Sequence, residues 1–276
     1  MPRFSANLSW LYSEVPFPDR AMQAAADGFS AVECLFPYQE LSAQEFYGQL
    51  TDLALDLVLF NTPPGNWAQG ERGLAIHEER QAEFRQSFLE VALPYALATH
   101  CPRLHIMAGL MGQDDSPQRL HDTFLENLTW ACRQAAVHHL GLVIEPINPI
   151  DMPNYFLTHQ AQAHALVQAI DATNLGVQMD LYHCHRVEGQ VAQKVLQWVP
   201  SGRVHHIQIA GFPGRHEPVG GDIDYPYLFT LLDTLGYAGH VGCEYYPTTT
   251  TREGLLRWWP DQRKIHHGSQ RNQTAI

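Results

Sequence analysis

Hydrophobic positions along the chain alternate between two patterns. Short runs rich in Val, Ile, Leu and Phe read as strands: RFSANL (3–8), AVECLF (31–36), LDLVLFN (55–61), RLHIMA (103–108), GLVIEP (141–146), LGVQMD (175–180), RVHHIQIA (203–210) and HVGCEY (240–245). Between them lie longer segments whose apolar residues recur at helical spacing. Leu120, Phe124, Leu128, Ala131 and Ala135 form one such face; Leu228, Leu231, Leu232 and Leu235 form another, closing on Gly236, a C-cap residue. Strand and helix in alternation, with eight strand runs, predict an α/β fold of the (β/α)8 TIM-barrel type. One barrel domain is expected over residues 1–260, followed by a polar tail, 261–276, without apolar periodicity. An open doubly wound sheet is the competing architecture, but no G-x-G-x-x-G follows an early strand.

In such a barrel the active site is built at the C-terminal ends of the strands, so a polar residue that closes an apolar run is a candidate for chemistry. Glu145 closes the fifth run, Asp180 the sixth and Glu244 the eighth, and Gln208 lies near the end of the seventh. Three carboxylates gathered in an apolar-walled mouth repel one another, and their pKa values rise unless a cation neutralises them. All four groups bind through oxygen and none is a thiolate, which suits a hard divalent ion, Mg²⁺ or Mn²⁺. Any one of these acids alone reads equally well as a helix cap or as the partner of a rim arginine. Four on adjacent strands favour the metal.

Composition narrows the partners. The 276 residues carry a formal net charge of −12 and no dense Lys/Arg cluster, so the electrostatic term that draws proteins to nucleic acid or anionic membrane has the wrong sign. Small molecules are the expected partners. The N-terminus lacks an apolar signal-like segment and no apolar stretch reaches about 18 residues, consistent with a soluble, cytoplasmic protein. Five widely spaced cysteines (Cys34, Cys101, Cys132, Cys184, Cys243) with no CxxC suit reduced core thiols better than a disulfide framework. Lys194 and Lys264 are the only lysines, neither in a strand run, which argues against Schiff-base chemistry. The H-C-H run at 183–185 has no second ligand pair at zinc spacing, and neither His77 nor His216 completes H-E-x-x-H.

The chain resembles the hydroxypyruvate isomerase family, including 2-oxo-tetronate isomerases, within the xylose-isomerase-like barrels. The resemblance runs from RFSANLS (3–9) through VECLFPY (32–38), GNWAQGERG (65–73), EPIN (145–148), DLYH (180–183), HIQIA (206–210), GRHEP (214–218) and GCEYYP (242–247) to TTTTREGL (248–255). It implies a metal held by Glu145, Asp180, Gln208 and Glu244, with Glu145 and Glu244 also moving the proton between neighbouring carbons of a small anionic hydroxy-oxo acid. It further implies substrate binding by His183 and by Arg215, whose guanidinium can grip a carboxylate with two hydrogen bonds. Asn7 and Asn61 end the first and third strands, where they meet substrate hydroxyls or cap the strand ends. Glu33 on the second strand is a further candidate. Trp67 sits at the centre of TPPGNWAQGERG, which opens the long gap between residues 61 and 103 and reads as a lid or as a rim loop.

Within the resemblance, IEPIN and DMPNYFLT look like hydroxypyruvate isomerases, whereas HIMAGL and IAGFPGRHEP look like the 2-oxo-tetronate enzymes. A ketose 3-epimerase-like sugar enzyme and a non-catalytic barrel that binds metal or a carbohydrate acid are the alternatives. A DNA-repair phosphodiesterase on a related barrel needs several zinc ions and a basic face, which this composition lacks. Trp258 and Trp259 suit either a subunit contact in a homo-oligomer or a cover for the barrel base.

Overall fold

Each predicted strand run forms a strand, and the eight close on themselves. They are β1 (Arg3–Asn7), β2 (Ala31–Cys34), β3 (Asp56–Asn61), β4 (Arg103–His105), β5 (Gly141–Ile144), β6 (Leu175–Asp180), β7 (Val204–Ile209) and β8 (His240–Cys243). In the computed structural model, which describes residues 2–259, they form a closed barrel in sequence order with every neighbouring pair parallel. The predicted polar tail, with Lys264, lies outside the described residues.

Helices fill the crossovers: α1 (Phe17–Asp27), α2 (Ala43–Asp52), α3 (Gln81–Ser87), α4 (Leu93–Ala98), α5 (Pro117–Ala136), α6 (Gln160–Ile170), α7 (Leu181–Glu188), α8 (Val191–Trp198) and α9 (Tyr225–Thr234). The spacing read from the sequence is the buried face: Leu120, Phe124, Leu128, Ala131 and Ala135 of α5 all face the core, as do Leu228, Leu231 and Leu232 of α9. Local chemistry sets the helix ends. Ser42 and Glu45 form a reciprocal capping box at the start of α2, and Gly28 takes φ 93° to close α1.

All the strands but β6 are shorter than their apolar runs, and at β4, β5 and β8 the early stop shapes the mouth of the barrel. β4 stops at His105; just beyond it the Ile106 amide still donates to the Val143 carbonyl of β5 at 2.9 Å, and by Ala108 the backbone has turned away, its amide donating to the Tyr155 hydroxyl at 2.9 Å. β5 stops at Ile144, and Pro146 has no N–H with which to extend the ladder. β8 stops at Cys243. Glu145 and Glu244 therefore sit one residue past the regular strand, on the lip of the barrel. The gap from 61 to 103 is not one long loop. Its second half is helix, α3 continuing through a π-helical turn (Phe88–Ala92) into α4.

The layer between sheet and helices is apolar, whereas much of the lumen is not. Among the described residues Ala31, Val58, Leu59 and Val143 form a small apolar cluster separate from the main core. Above them Glu33 on β2 reaches across to β7: its Oε2 accepts from His206 Nε2 at 2.8 Å and its Oε1 from Gln208 Nε2 at 2.7 Å. Strands β2 and β7 are not neighbours, so these bonds span the lumen. Ser5 Oγ also donates to Glu33 Oε2 at 2.7 Å. Gly242 leaves the space that this carboxylate occupies; a Cβ there would lie 2.3 Å from Glu33 Oε1.

Trp258 and Trp259 are buried rather than exposed. Residues 251–259 are helical, and both indoles pack edge-on against Phe4 of β1 at 5.5 and 5.3 Å between ring centres. This shields the barrel wall and leaves neither ring free for a subunit contact. All five cysteines are buried free thiols, as expected.

Candidate active site

Two cavities open at opposite ends of the barrel. The larger, about 1090 Å³, lies at the strand starts and is lined by Arg3, Asp56, Arg103, His205 and His240. The smaller, about 500 Å³, lies at the strand ends and is lined by Asn7, Asn61, Trp67, His105, Glu145, His183, Gln208, Arg215 and Glu244. We place the chemistry in the smaller one, because in this architecture strand ends carry the active site and strand starts carry stability. Every residue singled out in the sequence lines this cavity except Asp180 and Glu33, which lie buried beneath it.

Asp180 ends β6 and begins α7, and it does two things at once. Its Oδ1 accepts from the backbone amides of Tyr182 (2.7 Å) and His183 (3.2 Å), capping the helix. Its Oδ2, fully buried, has no hydrogen-bond partner among the described residues; nor does Glu145 Oε1. The cap reading and the ligand reading of Asp180 are thus compatible, one oxygen serving each.

Gln208 ties this layer to the one below. Its Nε2 donates to Glu33 Oε1 and, at 2.5 Å, to Glu244 Oε2, which fixes its Oε1 on the side of Gln178. Gln178 Nε2 donates both to that oxygen (2.6 Å) and to Glu145 Oε2 (2.8 Å). Asn7 Nδ2 bridges Glu33 Oε1 (3.3 Å) and Glu244 Oε2 (3.2 Å), with its own Oδ1 accepting from the Ser9 amide. Arg215 Nη2 lies 2.6 Å from Glu244 Oε1 and 3.7 Å from Asp180 Oδ2, and its guanidinium stacks over Trp10 at 4.3 Å. Asn61 ends β3, buried at the cavity wall.

The carboxyls respond to this crowding. Burial pushes Glu145 well above its ordinary pKa, and the charges of Glu244 and Asp180 push it further. Burial, with Asp180 and Glu33, raises Glu244 to about 8 against the opposing pull of Arg215 and Gln208. Asp180 is raised by burial too, although Arg215 and the two capping amides oppose the shift. Two buried carboxylate oxygens without a hydrogen-bond partner, in a group of acids that resist ionising together, form a donor set that a divalent cation fits.

Glu145, Asp180 and His183 each place a ligand atom within 4.8 Å of the others. The hydrogen bonds around His183 argue that it donates instead of ligating. Asn148 Oδ1 accepts from the amides of Ile150 (3.0 Å) and Asp151 (2.9 Å), so its Nδ2 faces His183 Nδ1 at 2.6 Å and donates to it. Burial, then Arg215 and Arg186, hold the imidazole well below its ordinary pKa. In the neutral ring the proton then resides on Nε2, the nitrogen 3.7 Å from Asp180 Oδ2, which is left as a donor.

Matched against known proteins, the chain fits the model of the xylose isomerase-like TIM barrel over residues 22–262. It belongs to that family. It is 49% identical over 255 residues to a 2-oxo-tetronate isomerase of Cupriavidus necator, covering 92% of this chain and 96% of that protein. It is 40% identical over 263 residues to the hydroxypyruvate isomerase of Escherichia coli, covering 95% of this chain and all of that protein (100%). A crystal structure from Brucella melitensis, described as an AP endonuclease of family 2, superposes with a TM-score of 0.90 at 43% identity over 94% of this chain and 99% of that one. The family member described here is an enzyme, an isomerase of the kind its curated relatives represent. No helix among the described residues is long and apolar enough to cross a membrane.

Several residues at the site were not singled out in the sequence. Asn148, Gln178, His105, Trp10 and Arg72 are polar or aromatic groups whose positions only closure of the barrel reveals. Asn148 and Arg72 nevertheless stand inside the quoted motifs EPIN and GNWAQGERG.

Proposed function

We propose that the protein is a divalent-metal-dependent isomerase of small hydroxy-oxo acids. It would interconvert a 2-oxo-3-hydroxy acid and its 3-oxo-2-hydroxy isomer, either hydroxypyruvate and tartronate semialdehyde or 2-oxo-tetronate and 3-oxo-tetronate. The observation that carries this reading is the pair of buried glutamates, Glu145 and Glu244, both with raised pKa values, in one cavity above Asp180 Oδ2, which accepts no hydrogen bond from the described residues. Glu145, Asp180, Gln208 and Glu244 would hold the ion, Mg²⁺ or Mn²⁺, which when bound supplies Lewis-acid stabilisation of negative charge on the substrate oxygens.

The remaining chemistry belongs to the chain. One glutamate takes the proton from C3 of the 2-oxo acid, the other returns a proton to C2 of the resulting enediolate, and the proton of the O3 hydroxyl passes to O2, so that the C3 alcohol becomes the carbonyl and the C2 carbonyl the alcohol. In the reverse direction their roles exchange. A carboxyl raised by burial is basic enough to take a carbon-bound proton and acidic enough to return one. His183, with its Nδ1 occupied by Asn148, offers Nε2–H to a substrate oxygen. Asn61 offers its amide to a substrate hydroxyl from the opposite half of the mouth, which Trp67 also lines, whereas Asn7, expected to bind substrate, has its amide engaged by Glu33, Glu244 and the Ser9 N–H and instead holds Glu244 in place. Arg215 is held against Glu244 and sets the charge around it.

The test uses protein stripped of metal with a chelator. Isomerisation of hydroxypyruvate and of 2-oxo-tetronate should disappear and return with Mn²⁺ or Mg²⁺, and product formed in deuterated solvent should carry deuterium at the newly protonated carbon. Full turnover by metal-free protein overturns the reading.

A further inference from the structure

We propose that Arg72, in the loop after β3, receives the carboxylate of the substrate and selects an acid over a neutral sugar of the same length. This rests on the isomerase reading above and deepens it. The substrate class is anionic, yet the ligand half of the mouth, at the ends of β5 to β8, is lined by Glu145 and Glu244 with Asp180 buried beneath them. A substrate carboxylate is repelled from that half, so a counter-charge is needed on the other.

Three arginines line the cavity: Arg72, Arg186 and Arg215. Two already face acids. Arg215 is 2.6 Å from Glu244, and Arg186 Nε is 3.6 Å from Asp151. Arg72 has no acidic group within ion-pair distance among the described residues.

It is nevertheless held in place. Its Nη1 donates to the carbonyls of Trp67 (3.1 Å) and Glu71 (2.8 Å), and its guanidinium lies over the Trp67 ring at 3.7 Å. Its Nε and Nη2 make no hydrogen bond to the described residues, which leaves donors for a planar oxyanion.

The loop that carries it is pinned independently. Glu71 is ion-paired to Arg80 at 2.5 Å, and Gly73, at φ 122°, packs so tightly on Met107 that a Cβ would meet its carbonyl oxygen at 2.4 Å. An arginine fixed by stacking, supplied with unused donors and placed across from the acids is built to bind an anion. The cost of ordering it has been met before the ligand arrives.

The experiment compares metal-loaded wild type with Arg72→Gln and Arg72→Lys. Three measurements are made: kcat and KM for hydroxypyruvate; the interconversion of dihydroxyacetone and glyceraldehyde, in which CH2OH replaces the carboxylate; and calorimetric binding of tartronate, a hydroxy-dicarboxylate that cannot isomerise. Arg72→Gln should raise KM for hydroxypyruvate roughly 10- to 100-fold, the factor carried by a lost charge-assisted hydrogen bond, with kcat changed far less. Tartronate affinity should fall in parallel while the neutral pair is unaffected. Arg72→Lys, which keeps the charge and loses the fork, should lie between.

Equal losses on acid and neutral substrates would mean that Arg72 only supports the loop, and would overturn the proposal. So would unchanged tartronate binding in Arg72→Gln. If wild type turns over no hydroxy-oxo acid, the isomerase reading fails, and tartronate binding then judges the arginine separately: loss in Arg72→Gln supports the clamp, and retention overturns it.

Discussion

Two layers of buried carboxylate lie one above the other in this barrel, and they behave in opposite ways. In the lower layer burial alone would raise Glu33, but the His206 imidazole and hydrogen bonds from His206, Gln208 and Ser5 outweigh it, and the carboxyl is held below its ordinary value. In the upper layer Glu145 and Glu244 are as deeply buried and are raised. The residue type and its burial are the same. The difference is in what surrounds each acid: both Glu33 oxygens are hydrogen-bonded and face the His206 imidazole, whereas Glu145 Oε1 accepts no hydrogen bond from the described residues and Glu244, although bonded at both oxygens, is held up, on top of its burial, by the neighbouring charges of Asp180 and Glu33. A buried acid set among donors and an imidazole holds structure together, and one crowded by other acids is poised to bind a cation or to move a proton.

The sharpest way to break this comparison is to remove the satisfied acid. Glu33→Ala strips the shared acceptor from Ser5, His206 and Gln208 at once, and should cost about 3–5 kcal/mol of stability, the range for breaking a buried pair. Urea denaturation of the variant measures it. A denaturation midpoint equal to wild type would show that the lower layer is not structural in the sense argued.

Next in size, Glu145→Gln and Glu244→Gln keep an oxygen and the side-chain volume while losing the basic site. Each should lose at least ~10²-fold in turnover, with a urea midpoint near that of wild type. Near-normal turnover in either, with metal bound, would exclude that glutamate from proton transfer.

The smallest effect is a pH slope. With Glu244 raised to about 8, the folded metal-free protein keeps a proton there that the unfolded chain, with an ordinary carboxyl near 4.5, has already released. The folded state binds more protons, so its stability falls as pH rises toward 8. The window to examine is pH 6.5 to 8. Below the ordinary histidine value of 6.5, His105, lowered to about 3 chiefly by burial, and His183, also lowered, act in the opposite sense, because the unfolded chain takes up protons that their buried rings refuse. Thermal melts of metal-free protein across that window should show a declining midpoint that Glu244→Gln flattens. An equal slope in both would assign the titration to another group.

Fold and site were legible in the sequence to different depths. The alternation of apolar runs with helical periodicity is a local property, set by which faces of each element must be buried, and it gave the (β/α)8 order, the α5 face and the α9 face except for Leu235, which caps that helix and is half-buried. The rule that strand ends carry chemistry then picked out Glu145, Asp180, Gln208 and Glu244 without coordinates, because position along a barrel strand is readable from pattern. The resemblance added His183 and Arg215. Both line the mouth cavity.

Contacts between distant strands were decided only when the barrel closed. Glu33 and His206 are 173 positions apart and bond across the lumen. Asn148 sets the proton on His183 from 35 positions away. Trp258 and Trp259, apolar and near the end of the described chain, could be placed on a surface or in the core only by the packing partner Phe4. Arg72 reads in sequence as an ordinary loop arginine. Its lack of an acidic partner among the described residues, its stacking on Trp67 and its place opposite three carboxylates exist only in three dimensions. A one-dimensional pattern reports which side of an element is buried, and electrostatic pairing depends on which elements then face one another.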